Sequence, residues 1–528
     1  MKVIINNVSL GLDEDLGYLK KKAATTLSIN ENDLINFRIV KESIDARRKS
    51  NIRLIYSATA EINSKSSISS NADVRVLEEK AEERIKPGDD LLKNRPVIVG
   101  SGPAGFFAAL TLAENGYKPL LIERGDCVEK RVIATKKYWE TGELDLESNT
   151  QFGEGGAGTF SDGKLTTRIN DPRCDKVMDV FRKTGIPDEV LYKAKPHIGT
   201  DNLKQIMINI RNRIQNLGGE IRFRTKMKTV EINRGAISGI VLDNGETIQA
   251  QVAILALGHS ARDTYVSLFS GGIYFEQKPF SVGVRIEHLQ KNIDKAQFGN
   301  RAGHPKLGAA EYQLFYKTGG RTVYTFCMCP GGVVVASASE RGTIVTNGMS
   351  EFARNRENAN SAWVVSVDPS DFGSDHPLAG IEFQRNFEKA AFRIGGGDNS
   401  APIQLLKDFV DGKISDKIGA VKPSYTGATV FADINNILPK YITDPMKESI
   451  GYFDGKLNGF GMGDAVLTGV ETRTSSPVRI KRDDSFQALG IKGLYPAGEG
   501  AGYAGGIVSA AVDGLRIAEQ IIKTYKPL

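Results

Sequence analysis

Residues 97–123 combine residue types and a spacing that bind the pyrophosphate of a dinucleotide. The segment reads VIVGSGPAGFFAALTLAENGYKPLLIE, and its glycines Gly100, Gly102 and Gly105 form the pattern G-x-G-x-x-G. The first glycine permits a tight turn, the second lets a pyrophosphate approach the backbone, and the third lets a helix pack closely on a strand. Glu123 follows Gly105 by eighteen residues and can accept hydrogen bonds from both ribose hydroxyls.

A strand before these glycines and a helix after them must position the phosphate-binding groups. The β-branched run Val97–Val99 predicts the strand, and apolar residues at helical spacing predict a helix to about Asn115, which Gly116 can end. A second apolar run at 119–123 predicts the next strand. The N-terminus of such a helix offers free N–H groups and a positive dipole end to phosphates. The segment therefore predicts a βαβ dinucleotide-binding unit.

Two distant segments continue the pattern. The apolar run 252–257 predicts a strand that ends at Gly258. The C-terminal segment GLYPAGEGAGYAGGIVSAAVDGLRIAEQII predicts a short strand, a glycine-rich bend and a helix that begins near Gly506.

Together these elements resemble the glutathione-reductase-type flavoprotein superfamily. In that superfamily a strand ending in alanine-x-glycine lies beside the dinucleotide, and a late glycine-acid pair binds the ribityl-phosphate part of FAD. The last helix points its N-terminus at the flavin ring, where it stabilises the anionic reduced form. The resemblance assigns these three roles, in order, to Ala256 with Gly258, to Gly498 with Glu499, and to the N–H groups of Gly506 and Ile507.

The glycine-rich loop QFGEGGAGTFSDGKL at 151–165 also contains a G-x-G-x-x-G spacing. No β-branched strand enters Gly153 and no long apolar helix leaves Gly158, so the loop is not a second nucleotide fold. In the glutathione-reductase-type superfamily, which the chain resembles, a glycine-rich segment at this chain position often lies against the flavin ring or the pyrophosphate. We expect the same here, because missing Cβ atoms permit the approach and N–H groups can face the ligand. A plain surface loop is the alternative.

Longer motifs narrow the resemblance. The segments FGEGGAGTFSDGKL, PFSVGVRIEH, CMCPGG, GVETRTSSPVRI and GEGAGYAGGI are together similar to a bacterial family of FAD-dependent, NAD/FAD-utilising dehydrogenases without a known substrate. The similarity covers most of the chain from about residue 95. It implies FAD and redox chemistry without specifying a reaction. The sequence does not reveal whether FAD is covalently attached, and non-covalent binding is the expectation.

The predicted fold class is α/β, with a Rossmann-like FAD-binding domain, an inserted α+β substrate or cap domain, and a small N-terminal α+β module. A chain of 528 residues is too long for one hydrophobic core. The β-α-β-β order of residues 1–65 suggests a ferredoxin-like module, and 66–94 reads as a linker with a charged helix. The FAD-binding domain comprises 95–265 and 480–528, and 266–479 forms the substrate domain.

The predicted cofactor-binding residues combine the fingerprint, the glycine loop, the later segments and nearby arginines. They are Gly100, Gly102, Pro103, Ala104, Gly105, Glu123, Arg124, Arg131, Gly155, Gly156, Ala157, Gly158, Ala256, Gly258, Gly498, Glu499, Gly506 and Ile507. Arg131 flanks the loop and could neutralise the pyrophosphate. The polar turn Arg473–Ser475 could bind a substrate carboxylate.

The catalytic candidates lie in the substrate domain. Cys327 and Cys329 occur in TVYTFCMCPGGVVVASA, which reads as two strands joined by residues 330–332. Residues i and i+2 of a strand share a face, so a face toward the flavin could make one thiol redox-active. The alternative is two small buried thiols in a sheet. Arg285 and His288 could contact an acidic substrate or the flavin, although a single histidine is more often structural.

Other features limit the possible functions. The net charge of +6 neither demands nor excludes an anionic partner. The chain lacks the C-x₄-C segment of disulfide reductases and a second dinucleotide fingerprint, so NADH or NADPH could serve only as a transient electron donor. No His/Cys cluster has metal-ligand spacing, and no metal is expected. Four sparse cysteines, no secretory h-region and no long apolar stretch predict a cytoplasmic protein without membrane contact.

The leading hypothesis is an FAD-dependent oxidoreductase, either dehydrogenase or reductase, that passes a hydride between flavin N5 and a small organic substrate. A flavin-dependent tRNA-modifying enzyme is a second hypothesis, with the basic turn Arg47–Lys49 as a weak indication. A non-enzymatic flavin-binding sensor is the third. The substrate and the oligomeric state are left open.

Overall fold

The computed structural model describes residues 1–63, 71–78 and 85–528. The charged helix predicted within the linker falls largely on 79–84, outside the described residues. In chain order the strands are β1 (Lys2–Gly11), β2 (Leu34–Asp45), β3 (Arg53–Ile62), β4 (Val74–Val76), β5 (Asp90–Leu91), β6 (Val97–Val99), β7 (Leu120–Ile122), β8 (Glu220–Arg222), β9 (Met227–Asn233), β10 (Ala236–Leu242), β11 (Thr247–Gln249), β12 (Ala253–Leu255), β13 (Phe275–Gln277), β14 (Phe280–Leu289), β15 (Phe315–Thr318), β16 (Arg321–Ala336), β17 (Thr346–Met349), β18 (Asn358–Val367), β19 (Ala401–Leu405), β20 (Thr429–Phe431), β21 (Val466–Glu471), β22 (Val478–Ile480), β23 (Leu494–Pro496) and β24 (Tyr525–Lys526).

The helices, in the same order, are α1 (Tyr18–Leu27), α2 (Pro103–Glu114), α3 (Val128–Thr141), α4 (Arg173–Lys183), α5 (Asp188–Leu191), α6 (Gly199–Asn216), α7 (Arg262–Ser270), α8 (Gln290–Phe298), α9 (Ala379–Ile394), α10 (Leu406–Asp411), α11 (Lys440–Lys456) and α12 (Ile507–Thr524). Short 3₁₀ turns add Glu31–Asp33, Ala157–Phe160, Gly299–Arg301, Pro369–Asp371 and Ile434–Asn436. Among the described residues, no helix combines the length and the apolar character needed to cross a membrane.

A five-stranded parallel sheet holds the fingerprint. Its strand order is β23-β12-β6-β7-β8, and every neighbouring pair is parallel. The strands β6, β7, β12 and β23 consist of buried residues, as expected for a sheet covered on both faces. The helix α2 connects β6 to β7 and packs against α12. This Rossmann-like sheet confirms the strand-helix-strand unit that the sequence predicts.

A larger sheet of eight strands covers Phe280–Glu471. Its order is β15-β16-β18-β14-β21-β19-β20, with β17 paired to β16. All pairs are antiparallel except β19 with β20. The expected break at 330–332 is wrong, because β16 runs on as one strand of 16 residues. Its pairing with β18 is instead irregular between Phe326 and Cys329, and again between Cys329 and Gly332.

The N-terminal residues form a separate four-stranded antiparallel sheet of order β2-β3-β1-β4. This is the strand order of a ferredoxin-like sheet, with α1 packed on β1. Backbone hydrogen bonds join Glu42 of β2 to the segment 192–194, at 2.6 Å from Glu42 N to Tyr192 O and 2.6 Å from Ala194 N to Glu42 O. These bonds hold β2 beside the larger part of the chain.

Candidate active site

A cavity of about 1750 Å³ opens at the carboxyl ends of the parallel strands. The residues that directly follow β6, β7, β12 and β23 all line it. Ligands of open parallel sheets bind at this edge. Because pockets for one drug-sized ligand measure about 300–1,000 Å³, this cavity has room for a dinucleotide and a second small molecule.

The cavity brings together most of the predicted cofactor-binding residues. Those that line it are Gly100, Gly102, Pro103, Ala104, Glu123, Arg124, Gly156, Ala157, Gly158, Ala256, Gly258, Gly498, Glu499, Gly506 and Ile507. Gly105, Arg131 and Gly155 are not among the lining residues. Gly105 serves packing, because a Cβ there would lie 1.9 Å from the carbonyl oxygen of Gly100.

The two glycine turns face each other. Gly155 N donates to Ser101 O over 2.9 Å, and a Cβ on Gly156 would lie 3.1 Å from the Cα of Gly102. Gly102 itself is extended, at φ −71° and ψ −178°, a conformation open to any residue. A Cβ on Gly102 would meet no chain atom closer than Gly156 Cα at 3.9 Å. The space that this Cβ would fill belongs to the cavity, so the surrounding chain does not require glycine here.

Glu123 joins three turns around the cavity and is only 5% exposed. One carboxylate oxygen accepts from Ser101 N and Oγ, both at 2.8 Å, and the other accepts from Gly125 N at 2.9 Å and Gly153 N at 3.0 Å. These four bonds use the full acceptor capacity of a carboxylate, about four hydrogen bonds. Glu123 therefore fixes both glycine turns in place. The predicted hydrogen bonds from the ribose hydroxyls would have to replace some of these four bonds.

Arg131 is fully buried and does not line the cavity, which corrects the expectation that it faces the pyrophosphate. Its fully buried guanidinium instead donates to five backbone carbonyls, those of Asn149, Thr150, Gly153, Glu154 and Gly156. Burial lowers the pKa of Arg131 to about 10, which leaves it charged at neutral pH. Arg131 therefore fixes the conformation of the glycine loop without lining the cavity itself.

Arg124 does line the cavity, and its guanidinium lies 3.9 Å from the centre of the Phe152 ring.

The N-terminus of α12 also opens into the cavity. Ala510 N bonds to Gly506 O at 2.9 Å, so the N–H groups of the three residues before Ala510 have no acceptor within the helix. A Cβ on Gly158 would lie 3.2 Å from Ile507 Cγ1, which brings the glycine loop against the start of this helix. The dipole of an 18-residue helix favours negative charge at this point. Nearby, Glu499 Oε1 lies 3.2 Å from His259 Nδ1.

The two cysteines do not share a face, contrary to the expectation for a regular strand. The strand irregularity leaves Cys327 in the left-handed region, at φ +45°, which is uncommon for a residue other than glycine. As a result Cys327 lines the cavity, whereas Cys329 is 0% exposed. The Cys329 thiol donates to Cys327 O at 3.3 Å.

Arg285 does not line the cavity, so its predicted contact with substrate is wrong. It instead contacts residues that do line the cavity. Its Nη1 donates to Cys327 O at 2.9 Å and its Nη2 donates to Asn347 Oδ1 at 2.9 Å. Its Nε lies 3.1 Å from Glu471 Oε2. Asn347 and Glu471 do line the cavity. Burial raises the pKa of Glu471 to about 7 despite the nearby arginine.

Sequence reasoning missed Glu471 and Lys164. Glu471 ends the buried strand β21, directly before the polar turn, and a carboxylate at such a strand end was the available signal. Lys164 ends the glycine loop, and its Nζ donates to Asp162 Oδ2 at 2.7 Å and to Met328 O.

Arg473, predicted as part of a turn that binds a substrate carboxylate, lines the cavity, but its guanidinium bonds to Glu388, Ser260 and Ser339.

For His288 the structure supports the structural alternative over contact with substrate or flavin. It is fully buried outside the cavity, with Nε2 2.8 Å from Phe460 O. Burial lowers the pKa of His288 to about 4.

We expect the fall in stability on acidification to be smaller in a His288→Gln variant. In the unfolded chain a histidine has a pKa near 6.5, whereas burial in the folded chain lowers the pKa of His288 to about 4. Stability from this group is therefore lost as pH falls from 6.5 to 4, by about 3 kcal/mol. Urea unfolding of both proteins at pH 7 and pH 4 measures the difference. Equal losses in both proteins would contradict the assignment.

Comparison with known proteins agrees with this geometry. The family model described as pyridine nucleotide-disulphide oxidoreductase matches residues 94–288, and that described as FAD-dependent protein, C-terminal domain-like, matches 279–474. A domain of unknown function matches 1–61. The fold and site thus define an FAD-dependent flavoprotein of the oxidoreductase class. An uncharacterized protein of Clostridium beijerinckii is 49% identical over 530 residues, covering 99% of each chain. The chain belongs to the family of that protein.

Solved structures show more distant likeness. Glycine oxidase from Bacillus cereus aligns over 82% of this chain and 99% of its own, with 12% identity and a TM-score of 0.32. A geranylgeranyl bacteriochlorophyll reductase-like protein from Thermoplasma acidophilum aligns over 80% and 77%, with 13% identity and a TM-score of 0.35. Likeness at these values supports no inference about substrate or reaction.

Proposed function

We propose that the protein is a dehydrogenase or reductase that passes a hydride between flavin N5 and a small organic substrate. One observation carries this proposal: a single cavity joins the glycine turns, the N-terminus of α12 and the side chains around Cys327. FAD, when bound, would supply the electron-pair chemistry, and the protein would supply orientation and electrostatics. The proposal assigns 95–265 and 480–528 to FAD binding and 266–479 to the substrate.

The chain's residues fit FAD at the dinucleotide end of the cavity. The glycine at 102 leaves room for a pyrophosphate, and Glu123 and Arg131 fix the two glycine turns around that space. The free N–H groups at the start of α12 can hold a negatively charged oxygen.

At the other end of the cavity, Glu471 is suited to proton transfer. Its pKa of about 7 lets it hold or release a proton near neutral pH, where a general acid or base works best. We propose that Glu471 exchanges the proton that accompanies hydride transfer. A substrate in this cavity would contact Glu471, Asn347 and Cys327, which all face the open volume.

Anaerobic reduction of the FAD-loaded protein tests the proposed function. NADH, NADPH and a panel of small alcohols, amines and 2-hydroxy acids are mixed separately with the holoprotein, and flavin absorbance is followed. At least one hydride donor is expected to bleach the flavin, and an organic acceptor is expected to restore the colour. A bound flavin that no hydride donor reduces would contradict the proposal and favour the sensor hypothesis.

A Glu471→Gln variant is expected to slow flavin reduction by about 100-fold, the usual contribution of a positioned acid or base. The rate in the unaltered protein should titrate near pH 7, and the variant should lose that titration while still binding FAD. The matched control is Glu246→Gln, at an exposed position between β10 and β11, which should leave the pH profile unchanged. A variant that keeps the titration near pH 7 would exclude Glu471 from proton transfer.

A further inference from the structure

We propose that the substrate is an anion, a small carboxylate or phosphate ester, which enters through a basic opening and is held inside the cavity by Lys164. The N-terminal module supplies part of this opening through Lys41. The inference rests on the proposed function and deepens it, because it names the chemical class of the substrate.

Three chain segments lie side by side at one end of the cavity. Backbone hydrogen bonds join β2 of the N-terminal module to the segment 192–194. The end of the glycine loop is bonded to the continuation of that segment, because Leu165 N donates to Pro196 O at 2.9 Å. The parts of these segments that line the cavity are 40–41, 161–169 and 191–196.

This part of the cavity wall is basic. Among the described residues that line the three segments and the adjoining 311–315, the two acidic side chains are Asp162 and Glu311. Four cations line the cavity and are also exposed to solvent, which places them at its opening: Lys41, Arg168, Lys193 and Lys195. The ammonium group of Lys193 lies 4.0 Å from the carboxylate of Glu42. Charge of one sign around an opening raises the association rate of ligands of opposite charge.

The two carboxylates of this wall are already paired with cations. Asp162 accepts from Arg354 Nε at 3.0 Å and from Lys164 Nζ at 2.7 Å. Glu311 accepts from Arg354 Nη1 at 2.7 Å and lies 3.5 Å from Lys195 Nζ. Three cations thus face two carboxylates, which leaves one positive charge in this cluster. The cations at 41, 168 and 193 add to it.

Lys164 brings positive charge into the interior of the cavity. Its side chain is 26% exposed, and its Nζ donates to Asp162 and to the carbonyl of Met328, the residue that follows Cys327. An ammonium group has three N–H donors. The described part of the chain offers the third donor no acceptor within hydrogen-bonding distance, so it is available to a ligand beside the proposed substrate position.

The charge of Lys164 persists at neutral pH. Burial lowers the pKa of this ammonium group, but the nearby carboxylates of Asp162 and Glu311 outweigh burial, and the pKa lies above its ordinary value of 10.5. An anionic oxygen at the third donor would form a charge-assisted hydrogen bond, which is stronger than a bond between neutral groups.

Matched pairs of hydride donors test the site inside the cavity. The FAD-loaded protein is mixed without oxygen with 2-hydroxy acids or their amides, and with polyol phosphates or the parent polyols, and flavin reduction is followed. We expect an anionic donor to exceed its neutral counterpart in kcat/KM by at least about 10-fold, the effect of one hydrogen bond to a charged group. The pair that shows this preference distinguishes a carboxylate from a phosphate ester.

Variants of Lys164 assign the preference to its charge. Lys164→Gln should still bind FAD and should use the charged and neutral members of the pair with similar kcat/KM. Lys164→Arg keeps the positive charge and should retain the preference for the anion. A Lys164→Gln variant with an unchanged preference would exclude Lys164 as the anion-binding group.

A second measurement tests the opening without knowledge of the substrate. The bound flavin is photoreduced, and its re-oxidation by ferricyanide, an anion, or by hexaammineruthenium(III), a cation, is timed at ionic strengths of about 10 and 200 mM. We expect added salt to slow the reaction with ferricyanide and to accelerate that with the cation. Lys41→Glu should slow ferricyanide by about 10-fold at the lower ionic strength. The control is Lys21→Glu, an exposed position of α1 that does not line the cavity.

The outcomes separate this inference from the proposed function. A flavin that neutral donors reduce as well as anions do, or re-oxidation rates that do not depend on acceptor charge, would overturn the anion site and leave the proposed function intact. A flavin that no donor reduces, but whose re-oxidation follows acceptor charge, would support the basic opening and overturn the proposed function. A chain that binds no FAD would overturn both.

Discussion

A Gly102→Ala variant is expected to fold as the unaltered chain does and to bind FAD about 100-fold more weakly, or worse, a loss of about 2.7 kcal/mol. The backbone of Gly102 is extended, so alanine fits its conformation without strain. The added methyl group meets no chain atom within 3.8 Å, since the nearest, Gly156 Cα, is 3.9 Å away. The methyl group instead enters the volume that a pyrophosphate would occupy.

Equilibrium dialysis or flavin fluorescence measures the affinity, and urea unfolding without FAD measures stability. The matched control is Gly451→Ala, an exposed glycine within α11 whose Cβ would also meet no chain atom. The control should bind FAD normally and gain up to about 1 kcal/mol from the better helix propensity. Gly105→Ala should fail differently, by unfolding, because its Cβ would collide with the backbone of Gly100. Unchanged FAD affinity in Gly102→Ala would locate the pyrophosphate elsewhere.

A Glu388→Gln variant is expected to lose about 3–5 kcal/mol of stability, the cost of leaving buried charges unpaired. Glu388 is 0% exposed on α9. Its carboxylate bonds to Arg262 at 2.7 and 2.8 Å and to Arg473 at 3.0 and 3.0 Å. Both arginines are buried, and Arg473 lines the cavity. Loss of the carboxylate therefore also loosens the turn beside the substrate position.

The same network gives a pH dependence with a definite sign. Burial alone would raise the pKa of Glu388, but the two arginines hold it well below the ordinary value of 4.5. Its contribution to stability is therefore complete above pH 4.5 and is lost as pH falls below that value. Glu382→Gln, at an exposed position of the same helix, is the control and should change stability by no more than about 0.5 kcal/mol. Equal stability of the two variants would show that the network contributes no net free energy.

Local patterns in the sequence were enough to predict the dinucleotide unit. The strand Val97–Val99 lies where the β-branched run predicts it, and the helix that ends beside Asn115 lies where apolar residues at helical spacing predict it. Residues close together in the chain determine both elements. The C-terminal helix begins at Ile507, directly after the predicted Gly506. The resemblance to the flavoprotein superfamily implied which distant segments meet beside the dinucleotide, and those segments line the cavity.

What the sequence could not supply are contacts between residues far apart in the chain. Arg131 binds carbonyls about twenty residues away because the glycine loop folds over it, which no local pattern encodes. The alternation rule failed at Cys327 because pairing with β18 distorts the strand. The altered pKa of Glu471 depends on its burial and on the nearby Arg285, and both are products of the tertiary fold.

The visible absorption spectrum of the purified protein, before and after acid denaturation, tests the central claim most directly. We expect a flavin spectrum whose chromophore is released as FAD, which establishes a non-covalent cofactor. Addition of FAD at about a thousand times its dissociation constant should stabilise FAD-free protein by roughly 4 kcal/mol. A colourless protein that gains no thermal stability from added FAD would contradict the account.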